Sequence, residues 1–508
     1  MLRGPPEEAM PSDYVLTLDF GSSGLRAAIH LAERPSYVLA SAERRYRVYR
    51  PRDADTLASR FADVELWQRT VGAIREALQA VPSTDRLSAV AVTAQRGGTA
   101  FLDASGAAIY LAPNTDLRAV FEGARIDEEM GAEVYGTTGH TPSLFLSFAK
   151  IAWWRAHHPR TAKRIATVTT LGGWAALRLT GVVATVPAEL SEAGLLDVST
   201  GNPAISLLGK LGVDAALLPP LRTDGAAVGS VSKAAAGATG LPVGAPVFLA
   251  GPDTHAAVLG AGASRPGDVV IVAGWSAPVQ VVTAAPAFDI ERRTWTGPHL
   301  APGLAYVEAS AGDTGGTLDM VRTLLGPRAK GDRLDTLLSK SRQSSNLVTA
   351  FWGPHAYNLS DSGISMGGLL LPVPITYNQV RPAHVARATL ENIAYAIREC
   401  VELATQVAGV HAPRSVALTG GMAASALFPQ VLADVLNASV RRHGPRGSAV
   451  GAALAATTSQ AELASASQAL AKRGETFSPD VRGVLGYQEG YARWRRLRAK
   501  LDELADEL

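Results

Sequence analysis

The sequence predicts an α/β protein made of two similarly built domains, and three observations carry that expectation. At 508 residues the chain exceeds the usual reach of one hydrophobic core, so two domains are expected. A strand, a Gly/Ser turn and a returning strand occur at Val15-Leu16-Thr17-Leu18-Asp19-Phe20-Gly21-Ser22-Ser23-Gly24-Leu25-Arg26-Ala27-Ala28-Ile29, and the same pattern returns at residues 269–282 around Gly274-Trp275-Ser276. After each hairpin, helical and strand patterns alternate, as in layered α/β architectures.

The elements follow in order. In the first half, Asp63 is expected to cap a helix whose apolar face is Val64, Trp67, Val71, Ile74 and Leu78, and Ala89 to Thr93 reads as a strand. Trp174 lies in an apolar helical run and reads as core. In the second half, a helix is expected from Ala383 to Val407, then the strand Ser415 to Thr419. Gly420-Gly421-Met422-Ala423 is then expected to open a helix that continues through Leu436. The lone cysteine, Cys400, falls on the apolar face of the Ala383 helix and reads as core filler, which excludes an intrachain disulfide and a cysteine-cluster metal site.

Composition narrows the partners. Hydrophobic residues form 47% of the chain and charged ones 19%, as in a well-buried globular protein. Lys+Arg 48 against Asp+Glu 46 gives a net charge of +2 without a long basic block, so nucleic acid is excluded and a small molecule is expected. Residues 1–12 read as a flexible leader without the apolar core of a secretory signal. The apolar stretch Val243 to Ala263 is broken by Pro246, Gly251, Pro252, Asp253 and His255, so it does not span a bilayer. These features point to a cytoplasmic protein with no membrane partner; pairing of two copies as a homodimer is left open.

The chemistry is expected at the turns. Gly21 and Gly24 allow the backbone to approach a ligand, where turn N–H groups and the Ser22 and Ser23 hydroxyls can converge on phosphate. Asp19, at the strand end, can face a phosphate-bound Mg²⁺ through its water shell. A plain hairpin explains the same letters, and a Gly-Gly corner such as Gly420-Gly421 often serves packing alone, so the turns by themselves leave both readings open.

At this point the chain resembles the FGGY family of carbohydrate kinases, nearly end to end. Asp19-Phe20-Gly21-Ser22-Ser23 with Arg26 resembles the family's first phosphate loop. Phe145 to His157, centred on Lys150-Ile151-Ala152-Trp153, is similar to its first signature, and His384 to Glu391 to the end of its second. Gly420 to Ser425, with Gln430 and Ala433-Asp434, resembles its adenosine segment. The resemblance implies two ribonuclease-H-like domains of the actin-like ATPase superfamily facing across a cleft, residues 13–250 on the sugar side and 251–508 on the nucleotide side. It implies ATP and Mg²⁺ as cofactors and a small sugar, ketose or polyol as acceptor.

Site residues carry over position by position. In Gly251-Pro252-Asp253-Thr254-His255, Asp253 matches the family's general base, a carboxylate that takes the proton of the attacking hydroxyl. Gln95, Arg96, Asp116, Arg118 and His255 are the implied sugar contacts, together with Asp253. Asp19, Gly21, Ser22, Ser23, Arg26, Gly274, Ser276, Gly315, Gly420, Gly421 and Met422 are the implied nucleotide contacts, with Asp19 on Mg²⁺ through water. Xylulokinases carry Met-His-Gly where this chain has Arg96-Gly97-Gly98, and glycerol kinases carry Arg-Glu-Thr. Arg96 with Tyr135 to Thr141 lies nearer to autoinducer-2 kinases. The family's Gly-Thr-Ser appears as Gly274-Trp275-Ser276, which keeps a second reading open: a sugar- or nucleotide-binding sensor in which Trp275 remodels the phosphate site.

Overall fold

The computed structural model describes residues 13–22, 24–50, 57–325, 345, 347–356, 366–371, 380–411, 413 and 415–505. The expected leader and Ser23 lie outside the described residues.

Strands β1 (Tyr14–Phe20), β2 (Gly24–Leu31), β3 (Arg34–Arg45), β4 (Leu87–Ala94), β5 (Gly229–Ser230) and β6 (Pro246–Pro252) form one sheet in the order β5-β6-β4-β1-β2-β3. β1 runs antiparallel to β2 and parallel to β4, and β4 is parallel to β6. Every residue of β1 is buried, because helices cover both faces of the sheet. The second sheet contains β7 (Asp268–Val272), β8 (Ser276–Thr283), β9 (Trp295–Pro298), β10 (Ala305–Asp313), β11 (Ser415–Thr419), β12 (Val440–Arg442) and β13 (Glu475–Phe477), in the order β9-β10-β8-β7-β11-β12-β13. Its β10-β8-β7-β11-β12 run repeats β3-β2-β1-β4-β6: an antiparallel meander whose first strand pairs in parallel with a later one. The doubling read from the two Gly/Ser turns is therefore real.

Helix α1 (Asp63–Leu78) buries Leu66, Thr70, Ala73, Ile74, Ala77 and Leu78, whereas Val64, expected on the apolar face, is exposed. Asp63 does not cap it. Ala62 occupies that position, and Asp63 as the first helical residue accepts from Trp174 Nε1 at 2.8 Å and pairs with Arg178 at 3.5 Å. Trp174 is buried as expected, and so is Cys400 on the long helix α3 (Pro382–Val407). The helix expected to run unbroken from Gly420 does not. A short 3₁₀ turn, Gly421–Ala424, ends at Ser425, and a new helix begins at Phe428. Ser425 Oγ accepts from the N–H groups of Leu427 and Phe428, and Pro429 fits only a first turn.

Between the sheets, α2 (Asp253–Gly260) crosses α4 (Gly447–Thr457) with almost no side chains between them. A Cβ on Gly451 would sit 1.8 Å from the Ala256 carbonyl oxygen, and one on Gly260 2.2 Å from the Gly447 oxygen. Ala452 and Ala453 on α4 continue the contact onto Val15, Ala89, Ala91 and Ala250 of the first sheet. Small residues here let two helix backbones and a sheet meet. No described helix is long and apolar enough to cross a membrane.

Candidate active site

The end of β1, the start of α2 and the start of α4 bring three polar groups together. Asp19, the penultimate residue of β1, is almost wholly buried, and its Oδ2 accepts from Ser448 Oγ at 2.6 Å although the two are 429 positions apart. Burial raises its proton affinity; the Ser448 hydrogen bond and Arg26, 3.9 Å away, oppose that rise. Its Oδ1 is buried without a hydrogen-bond partner. An orphaned carboxylate oxygen of this kind fits a group that offers donors, as the water shell of a Mg²⁺ does.

Asp253 is the first residue of α2, where its Oδ1 accepts from the N–H of Thr254 at 2.7 Å. Burial first, and the Asp19 carboxylate second, push its proton affinity up to about 7. A carboxyl group poised there is suited to accept a proton near neutral pH. Tyr46, partly buried with its hydroxyl buried and unpartnered, feels both carboxylates.

Arg96 reaches across to the second sheet. Its Nη1 donates to Glu308 Oε1 at 2.5 Å, and its guanidinium lies 5.1 Å from the centre of the Trp295 ring. Glu308 Oε2 in turn accepts from Gln280 Nε2 at 2.7 Å. Glu192 lies against the same cluster: its Oε1 accepts from Tyr306 OH at 2.9 Å and is 3.4 Å from His140 Nε2 and 3.5 Å from His255 Nε2. Although burial pulls the other way, Arg96 and His140 hold Glu192 below the usual carboxylate range. His255, buried under Tyr306, is pushed down to about 3 by burial and stays neutral. Lys150 of the first signature is a buttress for this turn. Its Nζ donates to the Gly97 carbonyl at 2.9 Å and to Thr99 Oγ1 at 3.0 Å.

Several sequence expectations change. Asp116 and Arg118 are buried and hold each other at 2.7 Å; the other Asp116 oxygen accepts from Ser59 N at 2.6 Å, and Tyr110 adds a third bond. Arg118 stacks against Tyr110, Trp153 and Trp154. This pair therefore fastens the first domain, with both Asp116 oxygens engaged within it. Gln95 donates to the Gly21 carbonyl and accepts from Asn114 N, which ties the first turn to the segment after β4. The N–H groups of Gly21, Gly274 and Gly315 do not point to a phosphate: they donate to Gly24 O, Ser276 O, and Gly274 and Trp275 O. Those glycines shape the turns, leaving Ser22, exposed at the tip of the first, and Ser276, half-buried at the start of β8.

Gly420, at φ 95°, would clash with Ala273 O at 2.5 Å if it carried a Cβ, so it docks the adenosine-like segment against the second Gly/Ser turn. A Cβ on Gly421 would meet nothing within 4 Å, as a ligand-facing position requires. Met422 is core, its N–H donating to Ala273 O at 2.9 Å. Arg26 pairs with Glu43 at 2.7 Å. The Trp275 indole is laid over Gly316 and remains 52% exposed. Gln430 and Asp434 fasten the segment at Ser478 and Asp480, through bonds of 2.8 to 2.9 Å.

Sequence reasoning missed Ser448, Glu308, Glu189 and Glu192. Ser448 meets Asp19, and Glu308 meets Arg96, hundreds of positions away, but Glu189 and Glu192, two acids inside the apolar run Val186 to Leu196, were a readable signal.

The chain thus carries two sheets of matching topology, with the carboxylates of Asp19, at the end of β1, and Asp253, at the start of α2, near enough to affect each other. The family model for the N-terminal domain of the FGGY family of carbohydrate kinases matches residues 14–260 and that for its C-terminal domain residues 269–460, so the chain belongs to this family. It is 28% identical to the autoinducer-2 kinase of Escherichia coli K12, over 95% of this chain and 93% of that one, and 28% identical to that of Klebsiella pneumoniae, over 97% and 95%. Among solved structures it is similar to the xylulose kinase of Rhodospirillum rubrum, with a TM-score of 0.81 and 25% identity over 97% of this chain and all of that one. The gluconate kinase of Lactobacillus acidophilus shares the fold, with a TM-score of 0.82 at 14% identity over 96% of this chain and 98% of that one.

Proposed function

We propose that the protein transfers the γ-phosphoryl group of ATP to a hydroxyl of a small sugar, ketose or polyol, with Asp253 as the general base. The observation that carries this reading is Asp253 itself: a carboxylate at the first turn of α2, within electrostatic reach of Asp19 and raised to about 7. As the acceptor oxygen bonds to the γ-phosphorus, its proton passes to the Asp253 carboxylate and the bond to ADP breaks. Mg²⁺, when bound with the nucleotide, supplies neutralising charge for the phosphates. Asp19 would hold it through water, with Ser448 fixing the carboxylate from the opposite domain. Ser22, Ser276 and the open face at Gly421 are the nucleotide-side contacts under this reading, and Arg96 with His255 the sugar-side ones. Similarity to autoinducer-2 kinases makes that signalling molecule one acceptor worth including.

A coupled ADP-release screen across pentuloses, hexuloses, polyols and autoinducer-2 tests the proposal. Turnover of at least one acceptor, dependent on Mg²⁺, is expected. Binding of ATP or of a sugar without any ADP release would instead favour the sensor reading.

A further inference from the structure

The kinase mechanism leaves two buried acids unused. Glu189 and Glu192 stand three residues apart on the short helix Pro187–Glu192, so both project from one side of it. They line a tight recess with Gln95, Arg96, Thr170 and Pro252, the last of these immediately preceding Asp253. Each is at most 4% exposed, and each keeps one oxygen, Glu189 Oε1 and Glu192 Oε2, buried without a donor. Buried acceptors are rarely left unpaired, so each of these oxygens calls for a donor, which a water or a bound hydroxyl can supply.

The charge balance decides what kind of donor. Among the described residues Arg96 is the only cation lining the recess, and its guanidinium is held by Glu308 with Glu192 alongside. His255 stays neutral, and burial, with the neighbouring Glu192 and Asp253 carboxylates adding to it, pushes Glu189 up to about 7, so the recess already strains to hold its negative charge. A hydroxyl entering the recess satisfies an orphaned oxygen. A carboxylate entering it would bring further acceptors and a negative charge to a wall of acids, with no free cation to receive it.

We propose that Glu189 and Glu192 are substrate-orienting residues that accept hydrogen bonds from a hydroxyl of the phosphoryl acceptor, and that they restrict it to uncharged polyhydroxy compounds, excluding aldonic acids. This rests on the kinase reading above and adds the acceptor's charge class and the residues that set it.

The test compares neutral acceptors with aldonic acids of five and six carbons in the ADP-release assay, using wild-type protein and Glu189→Gln. Wild-type kcat/KM for the best neutral acceptor is expected to exceed that for any aldonate by at least about a hundredfold. Glu189→Gln should raise KM for the neutral acceptor roughly tenfold, with a smaller change in kcat, and should narrow the neutral-to-aldonate ratio. Binding of Mg·ADP by calorimetry should be unchanged, which separates a lost substrate contact from a damaged fold. Should Glu189→Gln fail to fold, the wild-type ratio still decides. Comparable wild-type turnover of an aldonate overturns the proposal while leaving the kinase reading intact, and so does an unchanged KM in a folded Glu189→Gln. Absence of turnover with every acceptor overturns both.

Discussion

Replacing Asp253 with Asn should make the protein slower and more stable at once, by amounts that depend on pH. The free carboxyl titrates near 3.8 and the folded one near 7. Between these values the unfolded chain has released its proton while the folded chain still holds it. The stability that this group contributes is therefore complete below pH 3.8 and declines as pH rises, until it levels off above 7. Three units at about 1.4 kcal/mol each set a ceiling of about 4 kcal/mol. Asn has nearly the same shape and nothing to ionise, so Asp253→Asn should gain up to that amount over wild type at pH 8.5 and much less at pH 4.5. Urea unfolding at the two pH values measures it. In the same variant kcat should fall by about 10² or more, since the proton acceptor is gone. In wild type, kcat/KM should rise with pH through about 7. A stability difference that is the same at both pH values, or unaltered turnover on the acceptor found by screening, would refute the assignment of Asp253.

Ser448→Ala removes the donor that reaches Asp19 from the other domain, leaving a buried carboxylate short of a partner. A loss of about 1–3 kcal/mol in urea unfolding is expected, with weaker Mg·ATP binding by calorimetry; unchanged values in both would show that this bond is idle. Gly451→Ala pushes a methyl group into the Ala256 carbonyl, so a destabilisation of about 3 kcal/mol or complete failure to fold is expected. Thermal unfolding at the wild-type temperature would show that the two helices separate freely.

Local features were legible in the sequence, and distant pairings were not. The first hairpin could be read because its strands and turn are contiguous, so Asp19 falls at the strand end as expected. Asp253 was singled out by the resemblance of Gly251-Pro252-Asp253-Thr254-His255 to a family segment, not by its local pattern, and the structure makes it the first residue of α2, after Pro252 ends β6. The role of Asp116 and Arg118 was hidden because their partners Ser59, Trp153 and Trp154 come from separate elements, and charged letters alone do not reveal an aromatic enclosure. The glycine turns misled in a different way. Spacing shows that a turn forms, but it does not show that the turn closes by using the N–H groups a phosphate would need.

The bare crossing of α2 and α4 has a mechanical consequence. Asp253 sits at one end of α2, and Gly260, at the other, abuts Gly447, the neighbour of the Ser448 that grips Asp19. With backbone against backbone there is no side chain to change rotamer and absorb a displacement. The pair behaves as a spacer gauge: a displacement of α4 is handed undamped to α2, and with it to the Asp253 carboxylate at the start of that helix.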